Sequence, residues 1–475
     1  MLFNSLAFLA FAPTVLLGHA FLRGRALRVW LLLMSYVFYG WGQPWWCLGL
    51  LFTSTVIDFI VALRINAART QRSRRAWLLG SLIGNLGLLA AFKYSEFFLR
   101  SFNRVLGWAS IGAELPVPHV PLPPGISFYT FQTLSYTIDV YRGRMKPARN
   151  FLTMALFVAY FPQLVAGPIE RAASLMHQLD EKQPRTLHDV MSGVSRILWG
   201  LMKKVVFADW LGVFVHHVFG DPASAPSGEL WLATYAFAFQ IYLDFSAYSD
   251  IAIGLARTMG ITLQENFRWP YLARNLSEFW RRWHISFSTW LKDYLYIPLG
   301  GSRKGPRRTV LNLFIVMLLG GLWHGAANTF ILWGLWIGLG LALHHGAVEL
   351  GFARREDAQT YCRKDVFGIF VTFHWMCLSW VFFRADSTAE AFDMLRRMLF
   401  PNRLWAADTS SQEVSRTIIL LAIAAAAHAV RGLKLGLRWE AVRSPVATGL
   451  LWSGIVVITV LFFAPLQAQF IYFRF

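Results

Sequence analysis

The sequence predicts an all-α, polytopic integral membrane protein with about ten to twelve membrane-crossing helices, supplemented by re-entrant or interfacial helices. Three observations predict it. Of 475 residues, 56% are hydrophobic and only 15% charged, against about 25% charged in a soluble domain, and mean hydropathy is +0.44. The apolar residues form long continuous runs rather than alternating with polar ones. Lipid leaves the backbone no outside hydrogen-bond partner, so such runs cross as helices and not as open strands. The basic residues collect in short loops between the runs, as they do on the cytoplasmic side of membrane proteins.

Apolar runs lie near 6–22, 29–42, 45–63, 76–97, 121–141, 150–167, 190–219, 229–261, 309–322, 327–346, 365–383, 416–433 and 446–464. Several are shorter than the roughly 20 residues a straight crossing needs, so some must tilt, pair or re-enter. Arg23, Arg25 and Arg28 follow the first run, the uncharged Gly42-Gln43-Pro44 turn follows the second, and Arg64, Arg69, Arg72, Arg74 and Arg75 follow the third. This alternation places the N-terminus outside and the arginine-rich loops inside, together with the loops at 142–149 and 302–308. Pro121 to Gly125 opens one run, while Pro162, Gly167 and Pro168 interrupt another. Such breakers are tolerated at membrane depth only where the freed backbone is buried in protein or faces water. Glu265 to Gly301 is too polar to cross and too aromatic for a free loop, so it is expected to form an amphipathic, partly re-entrant helix at the headgroup zone. No internal repeat or long linker divides the chain, and one membrane-embedded domain over 1–475 is the economical expectation.

A formal net charge of +19 would suggest nucleic acid in a soluble protein. Here the loop positions of the charges account for it, and no nucleic-acid partner is expected; membrane lipid is. Cys47, Cys362 and Cys377 are too few and too scattered for a disulfide framework or a zinc site, and no metal or permanently bound cofactor is expected.

Most of the twelve histidines have ordinary explanations. His216, His217, His344 and His345 end apolar runs as interfacial residues do, and His374 and His428 suit helix-packing hydrogen bonds. His324 is different. It sits between Gly320-Gly321-Leu322-Trp323 and Gly325-Ala326-Ala327, and an ionisable side chain inside a membrane run marks a functional site by default. His284, in Trp280-Arg281-Arg282-Trp283-His284, could converge with it on a buried pocket. Two imidazoles suit acyl transfer to a hydroxyl: one group must take the hydroxyl proton near neutral pH, and another must stabilise the developing oxyanion. Two histidines without a third ligand make a metal site the weaker alternative, and no G-x-S-x-G elbow is present for a serine hydrolase. Asp244 and Asp250 could serve a proton relay in a transporter, or pair structurally with Arg257 or with lysines in the bundle. Lys203 and Lys204 could be anchors or anion contacts.

Gly125-Ile126-Ser127-Phe128-Tyr129, Phe161 to Pro168, Asp244 to Asp250, Glu265 to Gly301 and Gly320 to Gly325 occur in that order. Together they closely resemble the membrane-bound O-acyltransferase superfamily, in its bacterial branch that acetylates alginate- and cellulose-type polysaccharides. The resemblance runs from about residue 1 to 345, with a family core near 100–345, and thins beyond it. His324 matches the family's essential histidine, and His284 matches a position where relatives carry His, Asn or Asp. The resemblance implies helices around a central acyl tunnel, acetyl-CoA entering from the cytoplasm as acyl donor, and an acceptor waiting outside. It implies acetylation of an exported polysaccharide at the bacterial inner membrane, with a periplasmic acetyltransferase or polysaccharide-synthase subunits as partners. Within the superfamily, D-alanyl or lipid transfer is the alternative; a proton-coupled transporter is the alternative outside it.

Overall fold

The structure, a computed structural model, describes residues 1–110, 112, 114–118, 120–352, 361, 365–401, 404–405, 411–432, 445–463 and 470. Its regular elements are helices throughout, with no strand among the described residues. Five are long and apolar enough to cross a membrane: Trp45–Ala67, Gln71–Trp108, Asn328–Glu349, Asp365–Arg384 and Gln412–Val430. Leu6–Phe21 and Ala447–Leu461 are apolar but shorter. Two compact units form: residues 1–197 with 251–264, and residues 198–250 with 265–475.

In the first unit, polar side chains inside apolar helices satisfy one another. Asp58, fully buried on Trp45–Ala67, accepts hydrogen bonds from Ser81 Oγ (2.5 Å) and Asn85 Nδ2 (2.8 Å) on Gln71–Leu89, and from Thr137 Oγ1 (2.8 Å) on Ile126–Tyr141. Ser54 Oγ completes the set by donating to Asn85 Oδ1 at 2.6 Å. Burying a carboxylate is costly unless its oxygens are satisfied, and here two neighbouring helices supply the donors.

The helix breakers behave as expected of irregular backbone at membrane depth. Tyr160 to Glu170 is buried throughout, and the freed carbonyl of Phe157 accepts from Gln132 Nε2 (2.7 Å) and Gln163 Nε2 (2.8 Å). Gly125 caps Ile126–Tyr141 in the left-handed conformation, φ 74°. A Cβ there would sit 2.7 Å from the Leu164 carbonyl oxygen, so glycine alone lets the two broken stretches meet.

In the second unit, Pro306–His324 and Asn328–Glu349 form a hairpin turned by Gly325-Ala326-Ala327. Gly321 and Gly334 lie at their closest approach: a Cβ on Gly321 would fall 2.2 Å from the Phe330 carbonyl oxygen, and one on Gly334 2.4 Å from that of Met317. Small residues at such crossings let membrane helices pack backbone to backbone. The crossing fixes the helix end that carries His324.

Candidate active site

The segment expected to form one amphipathic helix is instead broken. Leu276–Arg282 and Ile285–Leu291 are separate short helices, followed by a π-helical turn at Lys292–Tyr296. The break has a specific cause. His284 adopts a left-handed backbone conformation, φ 41° and ψ 55°, which costs an ordinary side chain roughly 1–2 kcal/mol. Strain of this kind persists only where the surroundings over-determine it, and it clusters at functional sites. Here the irregular segment before the helices supplies the restraint. Arg268 N–H donates to the Arg282 carbonyl and Ile285 N–H to the Asn266 carbonyl, both at 2.9 Å.

The first short helix is held by a buried carboxylate. Glu278, 2% exposed, accepts from Arg274 N (2.8 Å) and Arg274 Nε (2.9 Å), and pairs with Arg282. Arg282 also donates to Tyr361 Oη at 2.7 Å. Burial alone would raise the Glu278 carboxyl, but the Arg274 donors and the Arg282 charge outweigh it and hold it below the usual carboxylate range. The basic residues of Trp-Arg-Arg-Trp-His are thus partly structural: Arg282 anchors the turn that presents His284.

His284 and His324 are both buried, and they come together on one pair of rings. Phe287 and Trp323 stack on each other with centroids 4.4 Å apart. His284 lies 5.0 Å from Phe287 and 6.1 Å from Trp323, while His324 lies 5.7 Å and 4.9 Å from the same two rings. Phe245 closes over His284 edge-on at 4.7 Å; Trp333 and Phe383 close over His324, each at 5.1 Å. Asn266 lies beneath His284, its Oδ1 3.1 Å from Nδ1. Burial pushes the His284 pKa down to about 3, so this imidazole is neutral at physiological pH. A neutral imidazole in a dry, ring-walled setting can accept a proton, and low dielectric strengthens every polar contact made there.

Four other polar candidates, Lys203, Lys204, Asp244 and Asp250, gather elsewhere in the same unit. Lys203 pairs with Asp250 (2.6 Å) and donates to Ser246 (2.7 Å), while Lys204 bridges Asp209 (2.9 Å) and Asp244 (2.7 Å). The aspartates therefore pair with lysines, and Arg257 pairs with Asp189 instead, at 3.7 Å. His374 makes the packing bonds expected of it, to Tyr235 Oη (3.0 Å) and the Phe370 carbonyl (2.9 Å). His428 sits in a box of rings from Tyr242, Trp269, Tyr271 and Phe239.

The sequence profile of the membrane-bound O-acyltransferase family matches residues 31–385. The chain belongs to this family. It is 42% identical over 402 residues to the probable alginate O-acetylase AlgI of Pseudomonas putida, covering 84% of this chain and 80% of that protein. It is 37% identical over 432 residues to the peptidoglycan O-acetyltransferase of Helicobacter pylori, covering 84% and 80%. The teichoic acid D-alanyltransferase of Bacillus subtilis is more distant, 27% identical over 286 residues and covering 56% and 71%. As a family member the chain is an acyltransferase of multi-pass membrane type, and both expected histidines fall inside the matched region. Asn266 and the Phe287–Trp323 stack are the site residues that motif reading passed over. Asn266 stood in a recognised motif, but nothing in its spacing from His284 announces a side-chain contact across a broken helix.

Proposed function

We propose that this chain is a bacterial inner-membrane O-acetyltransferase that moves acetyl groups from cytoplasmic acetyl-CoA to an exported polysaccharide of alginate or cellulose type, with His324 and His284 at the acyl-transfer centre. The observation that carries the assignment of the centre is the convergence of both imidazoles on the Phe287–Trp323 stack. The named O-acetylases match over most of the chain at higher identity than the D-alanyltransferases do, which favours acetyl over D-alanyl transfer.

In the reaction, the acceptor oxygen attacks the thioester carbonyl carbon. A C–O bond forms, the hydroxyl proton passes to an imidazole, the C–S bond breaks, and the departing CoA sulfur takes a proton. Rings around both histidines exclude water that would hydrolyse the thioester instead.

The remaining layout belongs to the same proposal. About ten to twelve crossings, counting tilted and short helices, leave the N-terminus outside and the 64–75 loop inside. The family match spans both compact units, in keeping with one catalytic domain over 1–475 that has its core near 100–345. The longest polar stretches, near 98–120, 350–364 and 384–415, are each shorter than the roughly 50 residues a typical domain needs. A periplasmic acetyltransferase or synthase subunit therefore completes transfer to the polymer. Replacing His324 by Ala tests the reading: transfer from acetyl-CoA falls by about 10² to 10⁴, the usual worth of a general base, with normal amounts of protein in the membrane. Wild-type transfer by the folded variant would overturn it.

A further inference from the structure

Asn266 is 1% exposed, and the groups around it, His284, Ser286 and Ser249, are equally buried. Its side-chain orientation follows from chemistry alone. The Ser286 backbone N–H lies 3.3 Å from Asn266 Oδ1, and a backbone N–H can only donate. The Asn266 atom facing it must therefore be the carbonyl oxygen. The same oxygen accepts from Ser286 Oγ at 2.9 Å, and the Asn266 amide nitrogen donates to Ser249 Oγ at 3.2 Å. Turning the amide over would set NH2 against N–H. An amide oxygen only accepts, so His284 Nδ1, 3.1 Å from it, must carry the hydrogen.

We propose that Asn266 is the positioning residue that fixes His284 in the Nδ1–H tautomer, so that Nε2 carries the lone pair at the acyl-transfer centre. This rests on the reading that His284 belongs to that centre. It decides between the two roles open to a second histidine. A neutral ring whose one hydrogen is held by Asn266 has none to give a developing oxyanion; it can take a proton or accept a hydrogen bond. The oxyanion donor is then a different group. The Asn266 backbone carbonyl, which holds Ile285 N–H at 2.9 Å, fixes the strained turn as well, so one residue sets both the tautomer and the ring's position.

The test measures kcat and KM against pH for the full-length chain in native membranes, with acetyl-CoA as donor and polymannuronate plus periplasmic extract as acceptor system. Asn266→Ala is expected to lose about 10- to 100-fold in kcat, the size of effect that follows when the partner orienting a metal-bound imidazole is removed, with KM little changed. Asn266→Asp keeps an acceptor for all three donors, and its second oxygen can accept from the Ser249 hydroxyl. Because a neighbouring anion favours imidazolium, its kcat should fall off on the acid side at a higher pH than wild type. Wild-type kcat in Asn266→Ala, or an Asn266→Asp pH profile that superimposes on wild type, overturns the proposal. Should Asn266→Ala fail to accumulate, the Asp profile decides alone. His284→Ala, run alongside, separates the levels. Full transfer without that imidazole removes His284 from the proposed centre, whereas an impaired His284→Ala beside wild-type Asn266 variants removes only the tautomer assignment.

Discussion

Two adjacent glycines on the helix that ends in His324 should respond very differently to the same methyl group. At Gly321, a Cβ would lie 2.2 Å from the Phe330 carbonyl oxygen and 3.3 Å from Gly334 Cα, where ordinary contact begins at 3.4 Å. Both neighbours are backbone, so no side-chain rotation relieves the clash, and the two helices of the hairpin must part by about 1 Å, a displacement that can cost about 10²-fold in rate when it reaches a catalytic group. At Gly320, the methyl would meet Leu291 Cδ1 at 3.4 Å, an ordinary contact, and alanine is favoured over glycine in a helix by roughly 0.5–1 kcal/mol. Gly321→Ala should therefore lose about 100-fold in acetyl transfer while Gly320→Ala keeps wild-type rate and equal or higher thermal stability. The assay is initial-rate transfer from labelled acetyl-CoA in membranes, normalised to the amount of folded protein. Equal activity in the two variants would refute the claim that backbone contact at this crossing positions His324.

Glu278→Gln should lower the thermal midpoint at pH 7 by the equivalent of about 3 kcal/mol, as breaking a buried ion pair does. Because the folded carboxyl is depressed, its contribution is present above the unfolded value of about 4.3 and is lost as pH falls through the folded pKa. The deficit should shrink below about pH 4, and a deficit unchanged between pH 7 and pH 3 would contradict the clamp. Single cysteines placed in the 64–75 loop should resist an impermeant thiol reagent added to intact cells and react once the inner membrane is opened; labelling from the periplasm would reverse the proposed topology.

Much of this was legible in the sequence because membrane chemistry makes ionisable residues conspicuous. His324 stood out among glycines in an apolar run, and His284 beside paired arginines. Lys203 and Lys204 supply the partners that Asp244 and Asp250 needed. What escaped notice depends on backbone conformation. A run such as Leu276 to Leu291 reads as one amphipathic helix by composition, and only the left-handed turn at His284, held from Arg268 and Asn266, divides it. For the same reason Asn266 was invisible as a partner of His284, since their contact needs that turn. The Asp58 cluster was hidden differently: Ser54, Ser81, Asn85 and Thr137 are each unremarkable in their own helices and acquire meaning only when three helices pack together.

The central claim is that acetyl passes outward from cytoplasmic acetyl-CoA by way of His324. Right-side-out membrane vesicles from producing cells, loaded with radiolabelled acetyl-CoA and bathed in polymannuronate and periplasmic extract, measure it directly. The account predicts label on the external polymer with the wild-type chain and loss of that label by at least about 10²-fold with His324→Ala. Equal labelling by the two, or labelling only when acetyl-CoA is supplied outside, would contradict it.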